Sequence, residues 1–151
     1  MLFGRMAFAS GWECAEVKDK PPEYSQGGSY LVTLSYDAAR PGVPALLVIS
    51  DALRPTGEQT LVTRKSADLQ HKTGAQEQWP SSSVREATAY TSRAERLAED
   101  KIDEIELLSF VVNANPATEK LKDREKRAGY VEVRFRDGRV RRELDCSYKA
   151  K

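Results

Sequence analysis

Histidine is almost missing from this chain: 151 residues contain one, His71. Cysteine is nearly as scarce, with Cys14 and Cys146 alone. Three such side chains cannot complete a four-ligand zinc site, and two cysteines cannot form a dense disulfide scaffold. Long hydrophobic runs are also missing. A stretch such as Ala45-Leu46-Leu47-Val48-Ile49 falls far short of the ~20 residues a bilayer-spanning helix needs. Charge of one sign is not in excess: 24 Lys and Arg stand against 23 Asp and Glu, a formal net charge of +1. The molecule as a whole is therefore not drawn onto nucleic acid or an anionic membrane. No glycine-rich phosphate loop, Gly-x-Ser-x-Gly elbow or helix-turn-helix pattern occurs.

What is present suits one folded domain over residues 1–151. Apolar residues make up 40% and charged residues 31%, polar for a globular chain but well outside the disordered class. A chain of this length buries roughly 68–70% of its unfolded surface, enough for a hydrophobic core.

The N-terminal stretch, residues 1–11, has two readings. Met1-Leu2-Phe3-Gly4-Arg5-Met6 followed by Ala7-Phe8-Ala9 carries a small-x-small pattern of the signal-cleavage type, interrupted by Arg5. It is either an ordinary segment that packs or frays, or the tail of a secretion signal. The cysteines divide in the same way. They are either two buried thiols behaving as small hydrophobes or one disulfide tying the two ends of the chain together. In the chain-entropy model such a bridge, 132 positions long, stabilises by roughly 4–5 kcal/mol. A bridge would favour export to the periplasm or the medium, because cytosolic thiols stay reduced; without it the chain belongs in the cytoplasm. Cys146 is a poor nucleophile candidate. Asp145-Cys146-Ser147 resembles the nucleophile segment of papain-like peptidases, but only five residues follow it and His71 lies upstream.

Along the chain, Pro21-Pro22 and Gly27-Gly28 mark an extended lead-in. Tyr30, Val32, Leu34 and Tyr36 then alternate with polar residues, predicting a strand over 29–36. Pro41-Gly42 turns the chain into an apolar strand over 45–53, and Arg54-Pro55-Thr56-Gly57 carries the signature of a type I turn into a return strand at 59–64. Residues 65–83 are polar and read as a long surface loop around Trp79. Ser92-Arg93-Ala94-Glu95 is a capping-box pattern, and Ala94, Leu97, Ala98 and Ile102 follow at helical spacing, predicting a helix from 92 to about 103. Residues 104–112 fit either a helical extension or a strand, the β-branched and aromatic end favouring a strand. Asp137-Gly138 between two alternating segments predicts a C-terminal hairpin. The expected fold is α+β: an antiparallel sheet of about five strands, a meander plus this hairpin, with one main helix packed on it.

The hairpin supplies the one unusual charge pattern. With a two-residue turn at 137–138, Val131, Val133, Phe135, Val140 and Leu144 share one face with Cys146, and Arg134, Arg136, Arg139 and Arg141 share the other, interleaved with Glu132 and Glu143. That register sets Arg134 opposite Arg141. Like charges directly opposed are destabilising, so the arginines are either a solubilising face or a grip for an acidic partner or phosphate. Arg142 falls on the apolar face, where it snorkels, marks a bulge or enters a buried pair. His71 reads as a solvated loop side chain, and Asp100, Asp103, Glu104 and Glu106 as a solvated acidic face rather than a cation site.

The sequence thus points to a small non-enzymatic binding protein, possibly exported, that recognises another protein through Arg134, Arg136, Arg139, Arg141 and the loop around Trp79. The alternative is a nucleic-acid-associated protein using the same arginines. No cofactor, metal or membrane span is expected.

Overall fold

A computed structural model describes residues 9–17, 30–40, 42–74, 86–99 and 103–150. Nine strands occur: β1 (Gly11–Glu16), β2 (Leu31–Tyr36), β3 (Pro44–Leu53), β4 (Gln59–Lys65), β5 (Gln70–Gly74), β6 (Ala87–Arg93), β7 (Ile105–Val112), β8 (Lys126–Phe135) and β9 (Gly138–Lys149). They form a single sheet in the order β4-β3-β2-β1-β9-β8-β7-β6-β5, with every neighbouring pair antiparallel. Two meanders, β1 to β4 and β5 to β9, are therefore joined by one ladder, β1 with β9.

The two edge strands, β4 and β5, are consecutive in the chain. A single 3-10 turn, Ser66–Asp68, carries the backbone from one edge of the sheet to the other. With nine antiparallel strands the edges run in the same direction, so the chain leaves β4 and continues as β5. A flat sheet cannot bring its edges within reach of so short a link; this one curls into a half-barrel. Arg64 of β4 spans the seam, its Nε donating to Ser92 Oγ of β6 at 3.1 Å and its Nη2 to Asp103 Oδ1 at 2.8 Å.

Period-2 alternation fills the inside of the curl. Val32, Leu34 and Tyr36 point inward from β2, Leu108, Phe110 and Val112 from β7, and Val131, Val133 and Phe135 from β8, all buried. The polar groups of the core aromatics Trp12, Tyr36 and Tyr90 are paired. Trp12 Nε1 donates to the Tyr36 hydroxyl at 2.9 Å, which lies 2.6 Å from the Tyr90 hydroxyl. Cys14 and Cys146 sit opposite each other in the β1–β9 ladder and form a disulfide. Gly129 passes so close to this bridge that a Cβ there would lie 2.8 Å from Cys146 Sγ.

The α+β expectation is overturned: this is a nearly all-β molecule, with no α-helix among the described residues. In place of the expected helix at 92–103, Ser92 and Arg93 finish β6 and Ala94–Arg96 is a 3-10 turn flanked by extended residues, while 100–102 lie outside the described residues. The Ser92 hydroxyl, expected to cap that helix, instead accepts from Arg64 inside the curl. Burial of Thr88, Tyr90 and Ser92 at period 2 outweighs the local capping pattern. Residues 65–74, expected in a loop, form the end of β4, the 3-10 turn and β5; the rest of that loop lies outside the described residues. Of residues 104–112, Ile105–Val112 form strand β7. The meander at 31–65 and the Gly57 turn, closed by Gly57 N–H to the Arg54 carbonyl at 2.8 Å, match the sequence.

The hairpin also forms, but two residues out of the expected register. Phe135 pairs with Gly138, so the loop is Arg136-Asp137 and Gly138 already belongs to β9. Neither loop residue has a positive φ, which rules out a type I′ turn. Gly138 instead takes φ +150°, packed so close to Pro55 that a Cβ would lie 3.0 Å from its Cγ. A slip of two preserves the faces and changes the opposed pairs.

Candidate functional site

The outer face of β8 and β9 carries the arginines at alternate positions. The register sets Arg134 directly opposite Arg139, and Glu132 opposite Arg141, in place of the expected Arg134–Arg141 pair. Arg139 reaches Glu132 only at 3.9 Å and keeps 63% of its side chain exposed. Arg134 is exposed and makes no ion pair among the described residues. Arg136 stands at the tip, its backbone N–H donating to the Glu104 carbonyl at 3.2 Å. Two like charges in opposed positions on an exposed ribbon cost stability rather than add it.

Arg141 is different. Its guanidinium carbon sits 3.9 Å from the centre of the Tyr130 ring, and its Nε donates to Glu143 Oε1 at 3.1 Å. Tyr130 belongs with Ala87 and Val111 to a small apolar cluster on the face away from the main core. Burial there raises the Tyr130 hydroxyl above its ordinary range, partly offset by the Arg141 charge. The ring is therefore a fixed platform, and the cation on it is held from two sides.

Beyond the ribbon's open end, Arg54 donates to Glu104 Oε2 at 2.6 Å, stands 3.8 Å from Asp137 and lies over the Phe135 ring. The hydrogen bond from Arg54 pulls the Glu104 carboxyl below the usual carboxylate range. This cluster pins the β3–β4 turn to the hairpin and fixes where the tip points. Arg142, on the inner side of β9, pairs with Glu16 of β1 at 3.1 Å and lies near the Tyr30 ring, so the third of its three options, a largely buried pair, is the one realised.

The arrangement thus gathers Arg134, Arg136, Arg139 and Arg141 on one ribbon, while Trp79 lies outside the described residues. His71 is an exposed member of β5, its ring tilted against Tyr90 at 6.3 Å between centroids. Sequence reasoning passed over Tyr130 as a platform, although its place two residues before Glu132 on the arginine face was readable. Residues 117–128 are highly charged. There Arg127 is mostly buried, bonded to Glu119, Glu125 and the Asn113 carbonyl, and it anchors the turn before β8.

Among the described residues no group of three or more His, Cys, Asp or Glu side chains could hold a metal ion, and no helix is long and apolar enough to cross a membrane. No protein-family model, curated protein or solved structure matches the chain.

Proposed function

We propose that this chain is a small binding protein of an oxidising compartment that recognises acidic side chains of another protein through the outer face of its β8–β9 ribbon. The observation that carries the reading is Arg141, held on the Tyr130 ring at 3.9 Å beside the opposed and exposed Arg134 and Arg139. An arginine fixed in place loses little side-chain freedom on binding, and Arg and Tyr are the residue types that dominate interface energetics. The guanidinium fork suits carboxylates, and opposed cations gain most from an anionic partner. Four carboxylates on the same ribbon, Glu132, Asp137, Glu143 and Asp145, and a net charge of +1 favour a patterned protein surface over a phosphate backbone. The Cys14–Cys146 disulfide supports a setting outside the reducing cytosol.

Two titrations followed by amide NMR test this. One adds an acid-rich peptide containing a tryptophan, the other a DNA duplex of mixed sequence. The reading expects the peptide to shift amides between Tyr130 and Glu143, to persist at moderate salt, and to lose its effect when Arg134→Glu and Arg139→Glu are combined. Silence with the peptide, or binding of the duplex alone with a steep salt dependence, would contradict it.

A further inference from the structure

One row of side chains crosses the outer face of the sheet from β6 to β9. Arg93 of β6 pairs with Leu107 of β7, Leu107 with Arg134 of β8, and Arg134 with Arg139 of β9. Arg93 is the last residue of β6 and still extended, at φ −120° and ψ 139°, so it keeps the strand's alternation and points away from the side that holds the buried Ser92. It is exposed, as are Arg134 and Arg139, and Leu107 is half-buried between the first two. Arg93 makes no ion pair among the described residues. Glu106, in the bulge before Leu107, is exposed next to the row, one carboxylate beside three guanidiniums.

Direction matters on this face. Along β9 the outward residues that follow Arg139 and Arg141 are Glu143 and Asp145, and along β8 Glu132 precedes Arg134. An acidic segment laid parallel to the strands therefore runs from cations onto carboxylates. Across the strands the row stays cationic on both sides of Leu107. Neighbouring strands lie about 4.8 Å apart, so Leu107, Arg134 and Arg139 stand about 5, 10 and 14 Å from Arg93. An α-helix rises about 1.5 Å per residue, which puts positions i+3, i+7 and i+10 about 4.5, 10.5 and 15 Å from i, all on one face. The two spacings agree.

We propose that the partner presents an acidic amphipathic helix that crosses the strands on this row. Carboxylates at i, i+7 and i+10 face Arg93, Arg134 and Arg139, and an apolar residue at i+3 lies against Leu107. This rests on the partner reading above and deepens it: it names the partner's secondary structure and adds Arg93 and Leu107 to the contact surface. Arg134 and Arg139 repel each other in their opposed positions, and a carboxylate set between them relieves that cost. Each guanidinium fork can hold a carboxylate through two parallel hydrogen bonds. An extended acidic segment that follows a strand meets Glu143 and Asp145 instead.

Fluorescence anisotropy with the full, oxidised chain tests it. Two dye-labelled peptides of about 18 residues and identical composition are titrated, long enough for a helix to form. One carries Glu at i, i+7 and i+10 with Leu at i+3; the other carries the same glutamates at i, i+2 and i+4. The helix-spaced peptide should bind at least about tenfold more tightly. Arg93→Ala should weaken that peptide by about tenfold and leave the other unaffected, and Arg93→Lys should recover part of the loss. The thermal midpoint checks that each variant folds; should Arg93→Ala lower it, Arg93→Gln replaces it, with the same weakening expected. Equal affinity for the two peptides overturns the helix, as does an Arg93→Ala variant that binds the helix-spaced peptide as tightly as the parent. In either case the ribbon reading stands if Arg134→Glu with Arg139→Glu still removes binding. Binding of neither peptide overturns both.

Discussion

The Tyr36 hydroxyl is the most consequential single group in the core. It takes the Trp12 N–H and bonds the Tyr90 hydroxyl, and all three side chains are essentially inaccessible to water. Replacing Tyr36 by Phe strands the buried Trp12 N–H and leaves the Tyr90 hydroxyl with Thr88 alone, an expected loss of about 2 kcal/mol in urea unfolding. Burial drives both tyrosines above the usual phenol range; the Tyr90 hydroxyl adds to the rise at Tyr36, while the hydrogen bonds with Tyr36 and Thr88 partly offset it at Tyr90. In the unfolded chain they ionise near pH ~10, in the folded chain they do not, so folded stability is intact below that point and falls as the pH climbs past it. Tyr36→Phe removes one of the two ionisations, and its stability should decline less steeply in the same alkaline range. A variant as stable as the parent in urea, with an unchanged alkaline slope, would mean that this hydrogen-bonded chain is not formed.

At the level of elements, the β1–β9 ladder decides whether the two meanders act as one sheet. Among the described residues it is the only ladder between them, and the disulfide crosses it near its centre. Removing the bridge with Cys14→Ser and Cys146→Ser should cost about 5 kcal/mol in denaturant unfolding, the chain-entropy value for so long a loop. Much of the meander was legible because β2 alternates, β3 is a continuous apolar run and their turns carry Pro and Gly at the right places. The bridge was legible as one of two options, since sequence gives spacing and no proximity. The helix at 92–103 was misread because Ser92-x-x-Glu95 satisfies a local rule, while the force that placed Ser92, its contact with Arg64 from a strand 28 residues away, has no local trace. Strand β5 was hidden for a related reason: Gln70-His71-Lys72-Thr73 is a polar edge, exposed throughout, and leaves no hydrophobic period to read. The arginine face survived the two-residue slip of the hairpin because parity, not register, assigns faces. The opposed pairs did not survive it, because they depend on how Gly138 packs against Pro55.

The whole molecule balances its charges through a few organised carboxylates at its ends. Glu104 is held below the usual carboxylate range by its hydrogen bond from Arg54, and Glu125 by the Lys122 backbone N–H and then by Arg127. Asp37 is lowered likewise by the Ala39 backbone N–H and Arg40. Depressed carboxylates stabilise the fold above their unfolded values and lose that contribution as the pH falls through their folded ones, so the thermal midpoint should drop between about pH 5 and 3. Glu125→Gln should make that drop shallower; a midpoint flat across this range in the parent would show that these pairs hold no stability.

Recognition belongs to this scale as well, because it requires that some arginines be committed to the fold and others be presented by it. Arg64 and Arg127 are enclosed by partners, Arg141 is fixed on Tyr130, and Arg134 and Arg139 are wet. Arginine side-chain NMR reads each of these Nε–H groups separately. The predicted spectrum has the Arg141 signal displaced by the Tyr130 ring and slow to exchange before any partner is present. On addition of the acid-rich peptide, the signals of Arg134, Arg139 and Arg141 should move together while those of Arg64 and Arg127 stay in place. Hairpin signals that remain still, or Arg64 and Arg127 moving in their stead, would contradict the account.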